Sequence, residues 1–317
     1  MPSLTDVPGV KVGHFTDNKA LTGCTVVLFE RGAKAGVDVV GTASGTRQLD
    51  SLSPLHLVEE VHAILLTGGS SFGLDAATGV MRYLEERGIG FDAGVVRIPI
   101  VPSAVIFDLG VGDPKVRPTA EMGYRACLEA STEVQEGSVG VGTGATVGKL
   151  LGIQRAMKGG VGTWSVRGPS GVVVGALVVV NAFGDVMDWR TGEQLAGPLG
   201  EDGRPQRTSE LLKKGFTKGR FGLFENTTLA VLATNVSLTK VEATKMAQMA
   251  SMALAKVISP FGTPFDGDVV FAASLGDLVF DLTNLATLAE EAVMEATRRA
   301  ILKADGFGKV KAWRDLR

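Results

Sequence analysis

NTTLAVLATN, residues 226–235, lies two thirds of the way along a chain of 317 residues. An asparagine and two threonines stand directly before a short apolar run. Branched and aliphatic residues in such a run favour a strand, so the threonines have one bland role, filling the strand entry. They also have a chemical one. If the backbone is held correctly, the Thr227 hydroxyl attacks the carbonyl of Asn226. The peptide becomes an ester, and water then releases a chain beginning at Thr227. Its new α-amine, with an ordinary pKa of about 7.7–8.0, lies within reach of its own hydroxyl. One residue then supplies both nucleophile and base. Thr228 is a second candidate nucleophile. The pattern alone leaves these readings open.

The rest of the chain narrows the class. Hydrophobic residues make up 45% and no low-complexity linker divides the sequence, so one domain with a sizeable core is expected. Lys and Arg total 32 against 34 Asp and Glu, which gives no electrostatic footprint for nucleic acid. Cys24 and Cys127 read as buried thiols, with no disulfide scaffold and no CxxC metal pair. The opening MPSLTDVPGVKVGHF lacks a basic stretch followed by an apolar one, so no signal peptide is expected and the cytoplasm is the default. GVVVGALVVV (171–180) is too short to span a bilayer and reads as a buried strand. The 42 glycines are about twice ordinary usage. They gather in TGGSSFG (67–73), GSVGVGTGATVG (137–148) and KGGVGT (158–163), which implies tight turns and close backbone approaches.

Hydrophobic periodicity predicts strands at 24–29, 62–69, 95–101, 161–167, 171–181, 227–235 and 268–275. It predicts helices at 74–87, about 115–130, 239–257 and 283–303, the third opened by a Thr239–Glu242 capping box. The order suggests an α/β fold with sheets covered by helices. Residues 185–225, with Arg190, Arg204, Arg207, Lys213, Lys214, Lys218 and Arg220, read as an exposed, mobile excursion.

Other chemistries find little support. TGGSSFG follows a strand and precedes a helix, but it lacks both GxGxxG and GK[ST], so a structural turn or pocket lining is the better reading. Lys149 in GVGTGATVGKL is followed by leucine, which rules out a Walker lysine. His14, His56 and His62 form no HExxH arrangement, and no GxSxG elbow exists. Sparse aromatics argue against single-strand binding. No metal or organic cofactor is expected.

Several stretches taken together resemble the P1/DmpA-like family of N-terminal-nucleophile hydrolases, peptidase family S58, and above all its nylon-oligomer hydrolase branch. They are TDVPGVKVGH (5–14), TGCTVVL (22–28), TGGSSFGLDAATGV (67–80), PSAVIFDL (102–109), GTGATVGK (142–149), VVVNAFGDVMD (178–188), NTTLAVLATNVSLTK (226–240) and TPFDGDVVFA (263–272). The resemblance implies a four-layer αββα sandwich and self-cleavage between Asn226 and Thr227. It implies an α chain 1–226, a β chain 227–317 and compact homo-oligomers of that unit. It makes Thr227 the nucleophile, Lys149 an active-site cation, Asn181 the oxyanion donor, and Asp266 and Asp268 an acidic pair beside the nucleophile. On an extended segment residues i and i+2 share a face, so both carboxylates can point the same way.

Two departures stand out. Phe107 replaces a tyrosine of the nylon-hydrolase branch. The β-peptidyl aminopeptidase branch has a serine nucleophile, Ser-Gly-Glu in place of Asp266-Gly267-Asp268, and a tyrosine near Gly148. The expected activity is amide hydrolysis on short peptides or amino-amides through an acyl-enzyme, without nucleic-acid or membrane partners. A processed binding or assembly module with little hydrolase activity stays open, as does an uncut hydrolase using the glycine loops.

Overall fold

The computed structural model describes residues 1–217 and 226–317. Its main strands are β1 (Val10–Asp17), β2 (Thr22–Val39), β3 (Glu60–Thr67), β4 (Ser103–Val105), β5 (Gly160–Arg167), β6 (Val173–Asn181), β7 (Thr227–Val236) and β8 (Val269–Leu278). Its main helices are α1 (Ala76–Glu85), α2 (Ala120–Leu128), α3 (Lys240–Val257) and α4 (Leu282–Leu302). Hydrogen bonds run in the order β5-β6-β7-β8-β2-β3-β4, ending on the two-residue strand Thr46–Arg47, with β1 also paired to β2.

The long strand β2 turns this one ladder into two facing sheets. Its first part pairs with β1 and β3, and its last part, Lys34–Val39, pairs with β8. Between them the β2–β3 register shifts from Leu28 to Ala33, and Gly32 adopts φ +79°. The shift leaves three more residues on β2 than on β3, and extra residues with left-handed backbone bend a strand and break its pairing.

Three apolar layers follow. Val27, Phe29, Ile64 and Leu66 from one sheet meet Leu177, Val179, Leu229, Val231 and Phe271 from the other, forming the central core. On the outer face of the second sheet, Val174, Ala176, Val178, Val180, Ala230 and Leu232 pack under α3 and α4. On the outer face of the first, Cys24, Val26, Leu28 and Leu65 pack under α1 and α2. The structure is therefore the expected four-layer αββα sandwich. Strands β6 and β7 are apolar on both faces because both faces are covered.

Helix α3 shows why the sequence commits locally. The Thr239 hydroxyl accepts the Glu242 N–H, and the Glu242 carboxylate accepts the Thr239 N–H at 2.8 Å. Ala243, Met246, Ala247, Ala250, Leu254 and Val257 form its buried stripe. The helix lies so close to β2 that a Cβ at Gly36 would stand 2.2 Å from the Thr244 nitrogen. Truncating Leu254 to alanine here costs about 2–5 kcal/mol.

Two expectations change. The run 95–101 is a strand only at Arg97–Ile98, paired to Phe91–Asp92, while Ile100 and Val101 are buried outside regular structure. Residues 185–217 are an exposed excursion only in part: 201–204 and 213–217 are exposed, but 195–199 are buried. Asp185–Met187, Gln194–Ala196 and Ile258–Ser259 form a small sheet, and Val186, Leu195 and Ala196 enter the core under α3 and α4. The buried Asp185 carboxylate accepts the Thr208 hydroxyl at 2.5 Å and the Thr208 N–H at 2.9 Å, anchoring the short helix Thr208–Lys213. The elements are too short for periodicity to reveal them among polar neighbours. Lys218 and Arg220 lie outside the described residues.

Candidate active site

The fold brings three chain segments to one end of the central strands. β6 ends at Asn181 and β7 begins at Thr227, and these two residues are register partners in the antiparallel pair. On the other side of β7 runs β8, in parallel, preceded by Asp266, Gly267 and Asp268. Thr227 thus lies between the asparagine and the acidic pair. Asn226 is fully buried and Thr227 is 4% exposed.

The Asn226–Thr227 peptide is held on several sides. The Asn226 carbonyl oxygen accepts the Thr227 hydroxyl at 2.5 Å and the Gly267 N–H at 2.9 Å. The Asn226 side-chain N–H donates to the Phe265 carbonyl at 3.2 Å. The next amide, Thr228 N–H, donates to the Asp268 carboxylate at 2.5 Å. The Thr228 hydroxyl is buried and has no hydrogen-bond partner among the described residues. Thr227, by contrast, lines a cavity of about 320 Å³ with Ser44, Gly45, Ser70, Ser71 and Phe107. That contrast favours Thr227 over Thr228 as the group that meets a substrate. Ser70 and Ser71 give the TGGSSFG loop its pocket-lining role. A larger cavity, of about 570 Å³ between β1 and α2, is lined by Val12, His14, Phe15 and Arg125, away from Thr227.

Both carboxylates are buried. Asp268 also accepts the Gly262 N–H at 3.2 Å. Burial, then the neighbouring Asp266 charge, pushes its pKa well above the ordinary value of 3.8. Asp266 accepts the Phe183 N–H at 3.2 Å, and the Thr263 hydroxyl and N–H at 2.5 and 3.1 Å. Burial raises its pKa too, opposed by these hydrogen bonds and by the Lys149 charge. Two acids in one desolvated site resist ionising together.

Lys149 is held against Asn181. The Lys149 ammonium donates to the Asn181 backbone oxygen at 2.9 Å and to its side-chain Oδ1 at 2.8 Å. The Thr146 N–H donates to the same Oδ1 at 3.0 Å. These donors fix which way the amide faces and turn its NH2 the other way, 3.4 Å from the Phe107 carbonyl. An asparagine N–H held in a dry site can stabilise an oxyanion.

The glycine-rich loop that delivers Thr146 and Lys149 is set by a residue that the sequence reading passed over. Lys158 is buried and donates to the carbonyls of Gly142, Ala145 and Gly159 at 2.8, 3.0 and 2.8 Å. Burial lowers its pKa to about 7. Gly148, just before Lys149, has φ +74°, and a Cβ there would stand 2.2 Å from the Gly197 backbone. No side chain fits. Thr263, Thr146 and Gly267 were likewise not foreseen, although all three lie inside or beside quoted motifs. Their contributions come from backbone N–H groups or short local contacts, which residue type does not advertise.

The remaining candidates are structural. His14 Nδ1 pairs with the Thr25 hydroxyl at 2.9 Å, and His62 Nδ1 accepts the Ile100 N–H at 3.1 Å. Cys24 and Cys127 are buried free thiols. Among the described residues, no group of three or more metal-ligating side chains occurs, and no helix is long and apolar enough to cross a membrane.

Known structures share this architecture. An L-aminopeptidase D-Ala-esterase/amidase from Ochrobactrum anthropi, described as a variant of the Ntn hydrolase fold, superposes with a TM-score of 0.75 at 20% identity, over 99% of this chain and 92% of that one. A Burkholderia β-aminopeptidase gives 0.69 at 24% identity, over 100% and 93%. Sequence similarity goes further. An uncharacterized aminopeptidase of Mycobacterium tuberculosis is 40% identical over 100% of this chain and 98% of its own. A 6-aminohexanoate-oligomer endohydrolase of Agromyces is 31% identical over 93% of this chain and 84% of its own. Residues 2–307 match peptidase family S58, and the chain belongs to that family. Membership of a peptidase family makes it a hydrolase.

Proposed function

We propose that the chain cuts itself between Asn226 and Thr227, and that the resulting Thr227 hydrolyses amides of short peptides or amino-amides. The new α-amine takes the hydroxyl proton as Thr227 attacks the substrate carbonyl, then passes it to the leaving amine. The Asn181 side-chain N–H steadies the oxyanion. Lys149 and Thr146 hold Asn181 in orientation, while Asp266 and Asp268 hold the backbone around the nucleophile. Water releases the acyl group. No metal or organic cofactor enters these steps.

One observation carries the reading. Thr227 faces a cavity while standing between its cross-strand partner Asn181 and the Asp266–Asp268 pair. Among the described residues, the cavity walls supply serine hydroxyls, small residues and the Phe107 ring, and no charged side chain. That suits a compact acyl portion. The Agromyces relative, named as a 6-aminohexanoate-oligomer endohydrolase, supports the same class. Homo-oligomers of the αβ unit and a cytoplasmic location belong to this reading, and exposed Leu55 and Leu57 offer apolar contact surface. The test is hydrolysis of an alanine anilide and of 6-aminohexanoate oligomers by processed protein. Turnover of either, abolished by Thr227→Ala, is expected. Turnover surviving that substitution contradicts the proposal.

A further inference from the structure

Asn226 and Asp266 form a parallel bridge three residues before the first β7–β8 pair, in register with Leu229 and Val269. Its rung is the Gly267 N–H donating to the Asn226 carbonyl at 2.9 Å. The neighbouring rung is diverted, because Thr228 N–H donates to the Asp268 side chain. The scissile carbonyl therefore keeps a fixed backbone donor while the amide after it is clamped by a carboxylate. The position also excludes a side chain. A Cβ at Gly267 would stand 2.7 Å from the Ala43 oxygen, and the Ala43 N–H donates to the Asp266 carbonyl at 3.0 Å. The loop at 43 presses the donor into place.

We propose that the Gly267 backbone N–H is an oxyanion donor of the self-cleavage step, which makes Gly267 a catalytic residue for processing. The inference rests on cleavage at Asn226–Thr227. The Thr227 oxygen bonds to the Asn226 carbonyl carbon, and the carbonyl electron pair moves onto the oxygen that Gly267 already holds. Collapse breaks the carbon–nitrogen bond. The proton lost by the hydroxyl ends on the Thr227 nitrogen, giving an ester and a free amine. One water then splits the ester into the Asn226 carboxylate and the Thr227 hydroxyl. A donor aimed in advance at the developing charge needs no reorganisation during the step.

The test is the rate of processing of the full chain, followed by intact mass. Glycolic acid placed at 267 by codon suppression replaces the N–H with oxygen and adds no side chain. Gly267→Pro and Gly267→Ala form a second pair. Both carry the clashing Cβ, but only alanine keeps the donor. Melting temperatures and near-ultraviolet circular dichroism establish that the members compared are folded. The expected result is a loss of about 10²–10³-fold for the glycolate chain, with proline slower than alanine by a similar factor. A glycolate chain cleaving at 226–227 as fast as wild type overturns the inference and leaves the cleavage site standing. A wild-type chain that is cut elsewhere, or not at all, overturns the reading beneath it.

Discussion

Asn181 and Thr227 are cross-strand partners at the same end of β6 and β7, and the Asn181 amide is fixed from behind by Lys149 and the Thr146 N–H. A nucleophile and an oxyanion donor placed opposite each other on adjacent strands share the rigidity of a sheet buried on both faces. For Asn181→Ala in processed protein we expect kcat to fall by about 10²–10³-fold, or about 2.7–4 kcal/mol of transition-state stabilisation. KM should change far less, because the donor acts on charge that develops during reaction. Steady-state kinetics on an amide substrate measure the split.

Thr228 separates the two threonines experimentally. Its hydroxyl is buried without a partner among the described residues, and such a group costs stability. Thr228→Val replaces it with a methyl group of nearly the same shape. The variant should melt at or above the wild-type temperature and still be cut. Uncut Thr228→Val would shift the nucleophile assignment.

The acidic pair gives a pH signature. Asp266 and Asp268 titrate near 3.8 when unfolded and higher when folded. Above 3.8 the folded state then holds more protons than the unfolded one, so this pair makes stability fall as pH rises through that window. Urea denaturation of uncut Thr227→Ala protein should show the slope. Adding Asp268→Asn should flatten it by removing one titrating group. An unchanged slope contradicts the assignment.

Gly148 tests the delivery of Lys149. Alanine there meets both a left-handed backbone and the Gly197 main chain. Gly148→Ala should lower the melting temperature by several degrees and slow processing, since the Lys149 ammonium must shift from Asn181. An unaffected processing rate would show that the loop can reposition freely.

Much of this was legible from residue order. The both-sides apolar runs at 173–181 and 227–236, the Thr239–Glu242 cap and the helix at 282–302 follow from period and capping chemistry. Thr227, Lys149, Asn181, Asp266 and Asp268 were nameable because motifs resembling a known family placed them, and the fold gathers all five. What escaped was held by the backbone. Gly267, Thr146 and Gly262 act through N–H groups that every non-proline residue owns. β1 is short of strong apolar alternation and owes its pairing to β2. The small sheet of 185–187, 194–196 and 258–259 is made of strands of two or three residues, below the length at which periodicity speaks. The bend in β2, which creates the sandwich, depends on one register shift near Gly32.

The most direct test of the central claim is denaturing intact-mass analysis of freshly purified wild type beside Thr227→Ala. The account predicts two wild-type fragments, residues 1–226 and 227–317, the smaller beginning with Thr227, and a single 317-residue chain in the variant. A wild type that stays whole on prolonged incubation yet hydrolyses amides would contradict the N-terminal-threonine mechanism.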